Sequence, residues 1–299
     1  MEIKRVGILR GGENDYENSL QRGGEIISHI LENFSDKYKP IDIFVDREGA
    51  WHVGGLPVKP ADLMYRVDVV WNVSHPSFSN IFENLSIPNV GVSPFSKAIG
   101  DSREMLRDHM KKIKVNMPRH LILPLYQKDF DGPKNEYALK KAKEVFEKFP
   151  SPWIVKSLTL DLDAGVHVAK TFPELADAIE DISKHQKSIL VEELISGKNA
   201  FMHTVSNFRG EDVYAFPAGN FSKSEKEKLI AMAKNIHSHI GASHYLKSNF
   251  VLNPKKEIYL TSVEFSLDLR QDSHFHQNCE SVGAKMHHVT EHILETNMF

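Results

Sequence analysis

The chain has a single cysteine, Cys279, in 299 residues. One thiol cannot build an internal disulfide framework or a cysteine-rich zinc site, and such scarcity fits a reducing cytoplasm. Charge of one sign is also lacking: 37 basic and 40 acidic side chains leave a formal net charge of −3. With no long Lys/Arg run and no interleaving of aromatic and basic residues, the electrostatic footprint of a nucleic-acid binder is missing. No apolar run approaches a membrane span, so no membrane partner is expected. Met1-Glu2-Ile3-Lys4-Arg5-Val6 leads into a strand pattern rather than a secretory signal. Internal repeats and low-complexity tracts are likewise missing. What is present, 41% hydrophobic and 26% charged residues, suffices for two or three domains with their own cores and points to small-molecule partners.

The first hundred residues alternate strand and helix patterns. Lys4–Leu9 is an apolar run ending at Gly11-Gly12, and Leu20, Ile26, Ile27, Ile30 and Leu31 then follow helical spacing. Ile41–Val45 and Val67–Val73 continue as strands of a parallel α/β sheet, with Pro57–Pro60 read as a connector. A short strand precedes Pro94, after which Asp101 or Ser102 can cap a helix through Met105, Leu106 and Met110. Beyond Pro118 the order is a strand at Leu121–Leu125, a helix over Glu136–Phe149, a strand at Trp153–Lys156 and a return strand through Gly165–Val168. A helix at Phe172–Ile182 and a strand at Ser188–Ile195 follow. The last third offers strands at Ala200–Val205 and Asp212–Pro217, an amphipathic helix at Ser224–Ile240, a hairpin and a C-terminal helix.

That hairpin, Lys247 to Glu264, reads as two apolar strands around a polar turn, and its alternation puts Asn249 and Glu264 side by side with Ser262 adjacent. The chain resembles the D-alanine–D-alanine ligase family. The resemblance rests on Val6–Gly12 with Ser19-Leu20, Asn72–His75, Ile87–Gly91, Ile154–Lys156, Leu190–Ile195, the hairpin and Glu257–Leu260, in that order. It implies an ATP-grasp α/β fold, in which an N-terminal open parallel α/β domain (1–94) is joined to central (95–191) and C-terminal (192–299) domains that clamp the nucleotide site. It also implies ATP and magnesium as cofactors, a cytoplasmic setting, and an amino-acid-like substrate, and it allows a homodimer. The implied activity is carboxylate–amine ligation in peptidoglycan precursor synthesis. The alternative is a noncatalytic relative that binds a small amino-acid-like ligand or a protein partner.

Residue by residue, the resemblance places Lys156 on phosphate, Glu192 and Ile195 on adenine, Asn199 at the ribose, and Arg103 as a second nucleotide contact with Ser102 equally alignable. Asp15 would hold the first substrate's ammonium, with Glu17 as its rival, and His75 would lie near that substrate's carboxylate. Ser273, or Arg270 directly, would take the second carboxylate. Metal would fall to Asn249 and Glu264, with Lys247 where the family has arginine.

Several departures set recognition against phosphoryl transfer. The family's acidic residues at the hairpin are Asn249 and Ser262 here. Its Gly- and Ser-rich phosphate loop is replaced by Ser157–Gly165, which contains Asp161 and Asp163, and its covering loop is missing. Substrate binding is therefore expected to be better kept than ATP turnover. His288 and His292 stand one helical turn apart, a zinc spacing, but read as a polar helix face because no CxxC pair accompanies them.

Overall fold

The computed structural model describes residues 3–13, 15–126, 130, 132–158, 165–185, 188–217 and 219–298. These form two compact units: Met1–Val115 with Asn199–Phe250 and Ser262–Phe299, and Asn116–Lys198 with Val251–Thr261.

The first unit opens with β1 (Lys4–Gly11), α1 (Tyr16–Asn33) and β2 (Tyr38–Val45). Then come β3 (Trp51–Val53), β4 (Leu56–Val58), β5 (Val69–Asn72), α2 (Ser79–Asn84) and β6 (Asn89–Val90). They make a six-stranded sheet in the order β4-β3-β2-β1-β5-β6. β1 is parallel to both β2 and β5, whereas β3 and β4 fold back antiparallel. Its central strands are buried on both faces, as parallel strands require. Val6, Ile8, Val69 and Trp71 join one apolar cluster, while Leu9 and Val70 enter another with Ile43, Leu63 and Phe82. The segment expected to be a connector, Pro57–Pro60, overlaps strand β4, which follows a turn at Gly54-Gly55, where both φ values are positive (60° and 79°). Pro57 is compatible with that strand because it lies on the sheet edge, where no ladder donor is needed on one side.

Two helices follow, α3 (Pro94–Asp101) and α4 (Arg103–Lys112), and the hydroxyl of Ser102 caps α4 by accepting from the Met105 amide.

The second unit contains β7 (His120–Leu123), α5 (Lys134–Lys148), β8 (Trp153–Ser157), β9 (Val166–Ala169), α6 (Phe172–Ser183) and β10 (Ile189–Glu193). Its sheet runs β7-β10-β8-β9, with each neighbouring pair antiparallel. Tyr137, Ala142 and Val145 of α5 and Leu175, Ile179 and Ile182 of α6 pack with Trp153, Val155 and Val191 of the sheet.

The chain then forms β11 (Lys198–Ser206), β12 (Val213–Phe216), α7 (Lys223–Ile240), β13 (Tyr245–Leu252) and β14 (Ile258–Glu264). The sheet order is β12-β11-β13-β14. Ser222 and Glu225 cap α7 reciprocally, and Leu229, Ala233, Ile236 and Ile240 give it a buried stripe. The expected single C-terminal helix is two, α8 (His274–Ser281) and α9 (Met286–Glu295), separated at Gly283, where φ is 64°. Among the described residues no helix is long and apolar enough to cross a membrane.

Candidate active site

In the six-stranded sheet the strand order reverses at β1, whose neighbours β2 and β5 follow it and lead away in opposite directions. The carboxyl ends of such strands are where open α/β sheets receive ligands. There the backbone is fixed by two hydroxyls. Ser19 accepts from the Gly11 amide (3.0 Å) and donates to the Val73 carbonyl (2.8 Å), while Ser74 donates to the Gly11 carbonyl (2.7 Å). Gly11 itself has φ of 90°, and a Cβ on it would stand 2.1 Å from the Val45 carbonyl oxygen. A glycine is required at that crossing.

Asp15, at φ 53°, precedes α1 with an exposed carboxylate that meets Asn18 and, at 3.3 Å, Arg22. Its rival Glu17 pairs with Arg47 at 3.0 Å. His75 is exposed beyond β5, and its Nδ1 lies 2.6 Å from Ser77 Oγ and accepts from the Ser77 amide at 3.3 Å.

The hairpin face is assembled as its alternation predicts. The Asn249 amide nitrogen donates to Ser262 Oγ at 2.8 Å and to Glu264 Oε1 at 2.7 Å. Lys247, on the same face of β13, approaches both oxygens of Glu264 at 3.1 and 3.2 Å. Around it gather side chains that the sequence reading missed. The Phe201 ring lies 5.7 Å from the Lys247 ammonium, and His274 stacks on Phe201 at 4.2 Å. Below them His203 is buried, its Nδ1 2.7 Å from the Tyr245 hydroxyl; desolvation, with Lys247 and His274 adding to it, lowers its pKa to about 3. These residues come from separate segments, and no periodicity in any one of them announces the convergence.

Arg270 forms a two-point pair with Asp268 (2.7 and 2.9 Å), which holds the Asp268 carboxyl below its ordinary value. Ser273 is buried and caps α8, its hydroxyl accepting from the His276 amide at 3.1 Å.

In the second unit Lys156 and Glu192 stand on neighbouring antiparallel strands. Lys156 faces Leu190 in register, so Glu192 lies diagonally two residues on, on the same face. Their charged atoms are 2.8 Å apart, with the lysine side chain 37% exposed and the glutamate 6%. Ile195 is half-buried just beyond β10. In the first unit Asn199 is exposed on β11, and Arg103 is buried at the start of α4. Asp161 and Asp163 lie outside the described residues.

His288 and His292 do not converge on a shared ligand position, since His292 Nε2 is 3.0 Å from the Ser206 carbonyl. Cys279 is buried, and desolvation pushes its thiol up to about 12. Among the described residues no group of three or more His, Cys, Asp or Glu could hold a metal ion.

The fold identifies the class: along the chain a six-stranded α/β sheet with a parallel core comes first and two four-stranded sheets follow, the order of elements in an ATP-grasp fold. It matches D-alanyl-alanine synthetase A from Vibrio cholerae with a TM-score of 0.77 at 16% identity, over 100% of this chain and 99% of that one. It also matches a D-alanine–D-alanine ligase from Bacillus anthracis complexed with ATP, with a TM-score of 0.73 at 15% identity over 100% and 98%. No family model matches the sequence. A D-alanine–D-alanine ligase of Legionella pneumophila (strain Corby) is 24% identical over 316 residues, spanning 86% of this chain and 84% of the relative. The chain is thus similar to D-alanine–D-alanine ligases over most of its length, at low identity in sequence and closely in fold.

Proposed function

We propose that this chain is an ATP-dependent carboxylate–amine ligase of the D-alanine–D-alanine type. The observation that carries it is the sequence alignment with a D-alanine–D-alanine ligase across 86% of the chain. In that chemistry the carboxylate of one amino acid takes the γ-phosphoryl group of ATP and ADP leaves. The amine of a second amino acid then attacks the acyl phosphate and expels inorganic phosphate, giving a dipeptide of the kind used in peptidoglycan precursors. The substrates are small and free, which suits a cytoplasmic enzyme, and a homodimer is the assembly to test.

Each proposed role has a physical basis. Triphosphate demands fixed positive charge, and Lys156, braced by the buried carboxylate of Glu192, offers it. Glu192 and Ile195 are the adenine candidates, with Arg103 and Asn199 the further nucleotide contacts. Asp15 supplies a carboxylate for the first ammonium, His75 an imidazole near its carboxylate, and Arg270 or Ser273 a donor for the second carboxylate. The Ser273 hydroxyl already accepts the α8 cap bond but keeps its own proton to donate. The division at residues 94 and 191 remains our functional partition of the chain.

Magnesium, which the family relationship implies, was tested against the hairpin. A hard divalent ion takes six or more oxygen ligands, several of them carboxylate. Here Glu264 is the one carboxylate of the face, and it is engaged by the Lys247 ammonium and the Asn249 amide. These residues do not fit a magnesium site, and no step of the proposal runs through one.

The test is phosphate release from ATP with and without D-alanine, with the dipeptide identified by mass spectrometry. We expect D-alanine-stimulated release, and in Lys156→Ala an ATP affinity roughly ten- to a hundredfold weaker, the loss of one charged phosphate contact. ATP binding with no D-amino-acid-stimulated release and no dipeptide would refute ligation.

A further inference from the structure

The hairpin that would carry divalent-ion ligands already holds a cation of the chain's own. Lys247 and Asn249 are two residues apart on β13 and so share a face, and Glu264 of neighbouring β14 meets both. Every group that touches the Glu264 carboxylate there is a donor: an ammonium has three N–H bonds and no lone pair, and the amide reaches it through nitrogen. A divalent ion needs the reverse, a ring of acceptors. The single negative charge of Glu264 is balanced by the single positive charge of Lys247, leaving no excess to attract a doubly charged ion. The lysine is also seated: its side chain is 19% exposed and its ammonium lies 5.7 Å from the Phe201 ring, on which His274 stacks.

We infer that this hairpin, left with the single carboxylate of Glu264 and that one paired to Lys247, has lost its metal site, so that Asn249, Ser262 and Glu264 bind no divalent ion and the chain takes ATP without needing one there. The nucleotide half of this inference rests on the ligase reading; the ion half does not. Any magnesium that reaches the protein would then arrive on the phosphates of the nucleotide.

Two measurements on the full chain separate the halves. The first titrates manganese(II) alone and follows the free ion by electron paramagnetic resonance. Wild type should show no saturable binding up to about 1 mM, the weak end of built oxygen sites. The triple variant Lys247→Ala, Asn249→Asp, Ser262→Glu should bind at least roughly tenfold tighter, the scale by which a site's surroundings tune affinity. Lys247→Gln, which removes only the ammonium, serves if the triple variant does not fold and should bind the ion measurably where wild type does not. Manganese binding by wild type that is lost in Glu264→Gln would overturn the inference. So would a folded variant that binds no better than wild type.

The second measurement is the calorimetric affinity for ATP in EDTA and in excess magnesium, expected to agree within about threefold, less than 1 kcal/mol. Binding seen only with magnesium would overturn the nucleotide half. No ATP binding in either buffer would sink the ligase reading, while the manganese result would still decide the ion pair.

Discussion

Acid should weaken this protein well before its carboxylates titrate, because imidazoles are held uncharged by desolvation in the first unit: His203 and His237 are the most deeply buried, and His29 and His244 are likewise lowered to about 4. His203 is 1% and His237 2% exposed. His237 is held by hydroxyls at both ring nitrogens, Thr204 Oγ1 and Ser206 Oγ, each at 2.9 Å. Desolvation is the leading cause in both, lowering His203 to about 3 and His237 to about 4. An imidazole in the unfolded chain titrates near 6.5, so between that value and the folded one the unfolded state binds more protons. Stability is then full above about pH 6.5, falls as pH drops below it, and stops falling only once the folded values are passed. At pH 5 each such histidine costs about 2 kcal/mol relative to pH 7.5. His203 and His237 together cost about 4 kcal/mol, a large part of the roughly 5–15 kcal/mol that holds a typical domain. Asp68 and Asp268, held low by Arg5 and Arg270, act in the same direction but only below about pH 4. Urea unfolding followed by far-UV circular dichroism at pH 7.5 and 5.0 measures the difference. In His237→Gln, which keeps hydrogen-bonding capacity without a titrating ring, the difference between the two pH values should shrink by about 2 kcal/mol. A pH dependence equal to that of wild type, or flat stability across this range, would refute the reasoning.

Two substitutions probe the carboxyl end of β1. Ser19→Ala removes the hydroxyl that joins the Gly11 amide to the Val73 carbonyl at a position 1% exposed. It should cost about 1–3 kcal/mol in the same urea experiment, the penalty for leaving buried polar groups unmade. Gly11→Ala puts a methyl group 2.1 Å from the Val45 carbonyl oxygen at a φ of 90°. It should lower stability by more than about 2 kcal/mol; a thermal midpoint unchanged from wild type would mean that the β1–β2 crossing is not fixed as described.

Much of the architecture was legible because it is written in local periodicity. Val6, Ile8 and Leu9 announce a central strand, and Leu229, Ala233, Ile236 and Ile240 announce a helix face. Strand alternation, together with the ungapped match to the family's hairpin, placed Asn249 beside Glu264 and Ser262. Less legible were features decided by tertiary position. Pro57 reads as a strand breaker unless its strand is known to lie on an edge, and Gly283 breaks a helix that would otherwise read as continuous. The Lys156–Glu192 pair depends on the register between β8 and β10, set by residues far apart in sequence. Likewise the seat of Lys247 on Phe201, and of Phe201 on His274, joins three segments whose meeting only the fold supplies.

The two borders of the six-stranded sheet limit what this molecule can do in company. One ends in β4, three residues with Pro57 at the middle, and the other in β6, two residues long. A strand needs several successive free amides and carbonyls to recruit a foreign strand, and proline withholds one of them. Neither border offers such a row, so growth by strand addition, the route to open-ended fibres, is closed at this sheet. Copies of the chain that associate there must do so through side-chain surfaces, which can be saturated, rather than through a backbone ladder, which cannot.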